Sequence, residues 1–121
     1  MKCKIIDYDT NSNEASIEFS DENNSIIVYC PYLENTKLNN EYELTAFLAD
    51  NIIRTCNEQS IIKTDKGYYS YIITAKLIER TKSLCKVYVK GLIIRIENVP
   101  NDIEIGENIT FNAIRIDYSQ L

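Results

Sequence analysis

The chain has 121 residues, 45% hydrophobic and 26% charged, enough for one domain with its own core and no disulfide or metal staple. It contains no histidine, which excludes Ser-His and Cys-His nucleophiles, a histidine general base and any histidine-bearing metal site. The net charge of −5 is spread unevenly, residues 1–62 summing to −7, residues 63–95 to +6 and residues 96–121 to −4, so two differently charged surfaces are expected.

Lys4 to Tyr8 reads as a first strand, ended by the polar cluster D-T-N-S-N. Its start, K-C-K-I-I-D, has no apolar leader and no run in the chain approaches membrane-spanning length, so a cytoplasmic location without membrane contact is expected. Ala15, Ile17 and Phe19 alternate with Ser16 and Glu18, the pattern of a half-buried strand. S-D-E-N-N-S is a hairpin loop, Ile26 to Cys30 a third strand, and Pro31 closes that strand or leaves it at an edge. With only three Gly and two Pro, the turns must rely on Asn, Asp and Ser.

Residues 41–56 fit two templates. As a strand, Tyr42, Leu44, Ala46 and Leu48 alternate with Glu41, Glu43, Thr45 and Phe47. As a helix, Asn40 would be the N-cap with Glu43 at N3, but Leu44, Phe47 and Leu48 would then lie opposite the apolar stripe. The strand is preferred for 42–48, with an irregular piece through Asn51, another strand near Ile52, and at most one short helix in this region. Ser60 to Lys63 is a further short strand.

The stretch from Tyr68 to Ile96 organises the rest. Two runs rich in Ile, Val, Tyr and Thr flank T-K-S-L, as in a β-hairpin. Tyr69, Tyr71, Ile73, Ala75 and Leu77 share one face, and Ser70, Thr74, Lys76 and Arg80 the other. Val87 and Val89 lie opposite Lys86, Tyr88 and Lys90. At Gly91 the phase flips to Leu92, Ile94 and Ile96, which predicts a bulge that bends one long strand. Gly106 is the expected turn glycine before a last strand over 108–118. Strands with polar turns and little helix predict a mainly β fold, a small antiparallel Greek-key barrel or sandwich.

Three sets of residues are candidates for function. The exposed face of the 68–96 hairpin gathers Lys76, Arg80, Lys86, Tyr88 and Lys90, cations for phosphates with a ring for stacking. An acidic set, Glu14, Glu18, Asp21, Glu22, Glu41 and Glu43 with Asp7 and Asp9 nearby, would steer onto a basic partner. Nine tyrosines and no tryptophan provide rigid, amphipathic contact area, although tyrosine is also a good strand former. The run from Asp7 lacks the glycine of a calcium loop, with Ser12 in its place. The cysteines at 3, 30, 56 and 85 form no C-x-x-C pair and are expected as reduced, mostly buried thiols. No catalytic residue, metal or cofactor is assigned.

The bulged strand and the Pro-then-Gly approach to the last strand resemble, over the second half of the chain, small barrels of the oligonucleotide/oligosaccharide-binding (OB) type. In overall character, the short acidic β chain with segregated charge resembles the immunity proteins of bacterial polymorphic-toxin and contact-dependent growth inhibition systems. That resemblance implies a non-enzymatic protein that binds a cognate, basic toxin domain through the acidic set, with neighbouring tyrosines as anchors. The alternatives are a single-stranded nucleic-acid binder using the hairpin face, and a structural or oligomerisation module recruiting a second copy at an edge beside Pro31.

Overall fold

The computed structural model describes residues 1–48 and 51–121. They form ten strands: β1 (Lys2–Tyr8), β2 (Ala15–Ser20), β3 (Ser25–Cys30), β4 (Tyr42–Leu48), β5 (Ile53–Thr55), β6 (Ser60–Lys63), β7 (Tyr71–Arg80), β8 (Cys85–Val89), β9 (Leu92–Ile96) and β10 (Asn108–Gln120). No helix occurs among the described residues, so none there could cross a membrane. The short helix allowed within 41–56 is absent where the segment is described: alternation governs Tyr42–Leu48, with Leu44 and Ala46 buried. The part of the irregular piece at 49–50 lies outside the described residues.

Strands β4, β9, β8, β7 and β10 close into a five-stranded barrel. Four junctions are antiparallel and one, β4 with β9, is parallel. This is an OB-like pairing order in which the strand beside the parallel junction precedes the others in the chain. Closure removes strand edges that would otherwise be open to aggregation. Strand β10 makes closure possible because it serves two neighbours in succession. Asn108 to Ala113 pair with β7, and Arg115 to Gln120 pair with β4. Its buried residues run 109, 111 and 113, then 116 and 118, so the alternation changes phase at Ile114–Arg115 between the two partners.

A meander of β1, β2 and β3 extends the barrel through one parallel bridge, Tyr29 opposite Asp117. Ala15, Ile17 and Phe19 face Cys30, Val28 and Ile26 across the β2–β3 ladder, and all six are buried. Each buried Ile, Val or Phe side chain contributes roughly 1.5–3 kcal/mol. Phe19, Tyr42 and Tyr118 join the meander to the barrel as an aromatic cluster, ring centroids 5.1–6.2 Å apart. Polar side chains make the turns. Asp21 Oδ1 accepts from the N–H groups of Asn23 and Asn24, and Asp9 Oδ1 accepts from that of Asn11.

Three expectations need correction. Gly91 is not a bulge inside one strand. Lys90 and Gly91 have φ of 50° and 93°, the two positive values of a type I′ hairpin turn, and Val89 pairs directly with Leu92. A two-residue turn shifts the alternation by one just as a bulge does, which is why the two look alike in sequence. The bulge lies instead at Ile78, between the Leu77–Val87 and Glu79–Lys86 pairs. Pro31 does close β3, which ends at Cys30, but the strand is interior and not the open edge expected to recruit a second copy. The outer edge of the meander is β1, which carries Lys2, Lys4 and a register shift near Ile6, features that discourage edge pairing. Finally, Cys30 and Cys85 are buried and Cys3 half-buried, but Cys56 is exposed; all four are free thiols.

Candidate protein-binding surface

On the barrel, cross-strand pairing sets Lys76 beside Tyr88 and Tyr88 beside Ile93. Tyr88 and Ile93 are 40% and 50% exposed, and Lys90 stands at the neighbouring hairpin tip. Arg80 leaves this face. The extra residue at Ile78 turns it toward the barrel end opposite Cys85, where its guanidinium donates to the carbonyls of Val99, Pro100 and Ile103 at 3.4, 3.0 and 2.5 Å. Lys86 stays on the face but pairs with Glu79 at 3.2 Å, and Arg95 pairs with Glu43. Lys63 donates to the carbonyls of Thr64, Gly67 and Ser70, holding the loop before β7. Half of the eight bases between 63 and 95 are thus engaged inside the fold.

The acidic set is dispersed. Glu14 stands at the start of β2, while Asp21 and Glu22 occupy the hairpin at its far end. Hydrogen bonds from Asn23 and Asn24 hold the Asp21 carboxyl below its ordinary range. Glu18 pairs with Lys4 at 3.7 Å. Glu43 lies across β4 on the barrel with Arg95, and Glu41 precedes that strand. These six residues do not form one patch.

A different constellation forms where the meander meets the loop before β7. Tyr69 precedes its strand rather than continuing the buried row, and its phenol lies 2.6 Å from Ser16 Oγ. Its ring meets Tyr29 edge-on at 5.5 Å, and Tyr68, 57% exposed, stands at 88° to Tyr69. Tyr29 donates its hydroxyl to Glu14 Oε1 at 2.5 Å, and that carboxylate pushes the phenol up to about 12. Arg115 is stacked on Tyr29 and on the half-exposed Phe47, its guanidinium 4.7 and 5.1 Å from the ring centres, while two of its nitrogens donate to the two oxygens of Asp117. Beside this row is a hollow of about 200 Å³ lined by Asp7, Asp9, Glu14, Ala15, Ser16, Tyr29 and Tyr69.

Asp7, Asp9 and Glu14 have no ion-pair partner among the described residues, in contrast to Glu18, Glu43, Glu79, Glu107 and Asp117. The arrangement combines rigid rings, fixed hydroxyls and negative charge without an ion-pair partner among the described residues, features that suit a contact surface. Sequence reading reached Glu14, Asp7 and Asp9 but missed Tyr29, Tyr69 and Arg115. They lie far apart along the chain, and each fits a plain strand pattern. In comparison with known proteins, no family model, no curated sequence and no solved structure matches this chain.

Proposed function

We propose that this chain is a non-enzymatic protein-binding domain that acts by occlusion, as an immunity protein neutralising a basic toxin domain. The observation that carries this reading is the contrast between its two charged regions. On the barrel face Lys86 and Arg95 are ion-paired while Lys76 and Lys90 are not, whereas all three carboxylates lining the hollow beside Tyr29 and Tyr69 lack an ion-pair partner among the described residues. Unmatched charge on a rigid aromatic surface favours fast, salt-dependent encounter with a basic protein and a well-packed anchor once bound.

The test is co-expression with the toxin domain encoded beside its gene, together with a binding measurement on the purified pair. Rescue of growth and a complex whose association slows with added salt are expected. Tyr88 beside Lys76 favours the competing reading as a single-strand nucleic-acid binder. Salt-sensitive binding of a fluorescent oligonucleotide, abolished by Lys76→Glu with Lys90→Glu, and no rescue of growth, would replace the proposal with that one.

A further inference from the structure

We infer that the hollow beside Tyr29 and Tyr69 is a socket for an arginine side chain of the protein partner. This rests on the protein-binding reading and names the chemistry of its central contact. Size is the first argument. At about 200 Å³ the hollow falls below the roughly 300–1,000 Å³ of small-molecule sites and suits a single side chain. Charge is the second, since Asp7, Asp9 and Glu14 line it without an internal counter-ion among the described residues.

The third argument separates guanidinium from ammonium. A guanidinium offers flat faces to aromatic rings and a fork of donors to carboxylates, whereas an ammonium is a strongly hydrated point charge. The chain already builds that recognition once within itself. Arg115 lies on the Tyr29 and Phe47 rings and is gripped by both oxygens of Asp117. Its charge is matched there, and it does not line the hollow.

The walls are set before any partner arrives. Ser16, itself buried, fixes the Tyr69 hydroxyl, and Glu14 fixes that of Tyr29. Asp9 is fixed by the turn it makes with Asn11 and Asn13. An incoming arginine therefore orders few groups on this side, the condition under which charge and stacking contribute to affinity instead of offsetting lost freedom.

Two measurements test this. First, the protein is titrated with N-acetyl-arginine amide and, separately, with N-acetyl-citrulline amide, which has the same shape without the charge, while aromatic and backbone NMR signals are followed. Saturable shifts confined to Tyr29, Tyr69, Ser16 and residues 7–14, seen only with the arginine compound and weakened about fivefold by Asp9→Asn, support the socket. Equal shifts with both compounds, or shifts scattered over the surface, overturn it. Second, Asp9→Asn and Tyr69→Ala are assayed against the toxin domain, with Glu97→Gln, an exposed residue just after β9, as control. Losses of about tenfold or more for the first two alone are expected. Asp9 is exposed, so its variant keeps the test sound if Tyr69→Ala folds poorly. A complex that forms and ignores both substitutions removes the socket while protein binding stands. Arginine shifts at the hollow in a chain that binds no toxin domain keep the socket and remove the immunity reading.

Discussion

The phenol oxygen of Tyr71, at the start of β7, accepts a hydrogen bond of 2.9 Å from the backbone N–H of Ile27 in β3. Strand β3 meets β10 through a single bridge, Tyr29 with Asp117, so a barrel tyrosine supplies a further polar tie between meander and barrel. Tyr71→Phe would leave the Ile27 N–H without that partner and should cost about 1–3 kcal/mol in chemical denaturation. Unchanged stability would show that the core residues alone hold the meander in place.

The same substitution at Tyr118 should act with the opposite sign. Tyr118 is buried, its ring stacks on Tyr42 at 5.4 Å, and its hydroxyl has no hydrogen-bond partner among the described residues. Tyr118→Phe keeps the packing and removes the unpaired group, so a gain of about 1 kcal/mol at neutral pH is expected. A loss in the same denaturation experiment would mean that the hydroxyl is satisfied in solution.

Alkaline stability follows from the same residue. Burial pushes the Tyr118 phenol up to about 12 from its ordinary value of 10. Between those values the unfolded chain has released a proton that the folded chain retains, so rising pH favours unfolding. The contribution is intact below pH 10 and is lost as the pH climbs through about 12. Melting curves from pH 8 upward should fall less steeply for Tyr118→Phe than for the native chain.

At the candidate site, the Tyr29 phenol is pushed up to about 12, chiefly because its hydroxyl donates to Glu14. Glu14→Gln removes the carboxylate charge and should return the phenol toward its ordinary range. An ultraviolet or NMR titration resolves the change. No shift between the two proteins would mean that Glu14 does not hold the ring, and one wall of the socket would lose its support.

Arg80 ties the connection from β9 to β10 by donating to three backbone carbonyls. Lysine retains the charge but lacks the planar fork that reaches all three, so Arg80→Lys should cost about 2 kcal/mol. Hydrogen exchange should rise at residues 97–107 ahead of the rest of the barrel. Uniform exchange in the variant would argue against this local role.

The β8–β9 turn offers a change that stabilises. Lys90 has φ of 50° ahead of Gly91 at 93°, and asparagine tolerates the first position better than lysine. Lys90→Asn should add about 0.5 kcal/mol, whereas Gly91→Ala should cost about 1–2 kcal/mol by forcing a side chain into the left-handed region. Thermal melts check both.

Alternation along the chain was enough to determine most of the strands, because burial on one face of a sheet repeats every second residue and leaves that mark in local composition. Ala15–Phe19, Ile26–Cys30, Tyr42–Leu48, Ser60–Lys63 and the long final strand were all legible in this way, as was a small, mainly β fold of barrel or sandwich type, of which the structure takes the OB-like barrel. Phase was less legible. A bulge and a tight turn each shift alternation by one, so Gly91 was misread and Ile78 passed unnoticed, and with Ile78 went the position of Arg80. Which charges remain free was decided only by the tertiary structure. Lys86 meets Glu79, Arg95 meets Glu43 and Arg115 meets Asp117 with Tyr29. Arg115 and Asp117 are neighbours on one face of a strand, and Lys86 and Glu79 face each other across one hairpin. The Arg95–Glu43 pair and the Arg115–Tyr29 contact, however, need the barrel to close and the meander to pair with it, and neither event leaves a local signature in the order of residues.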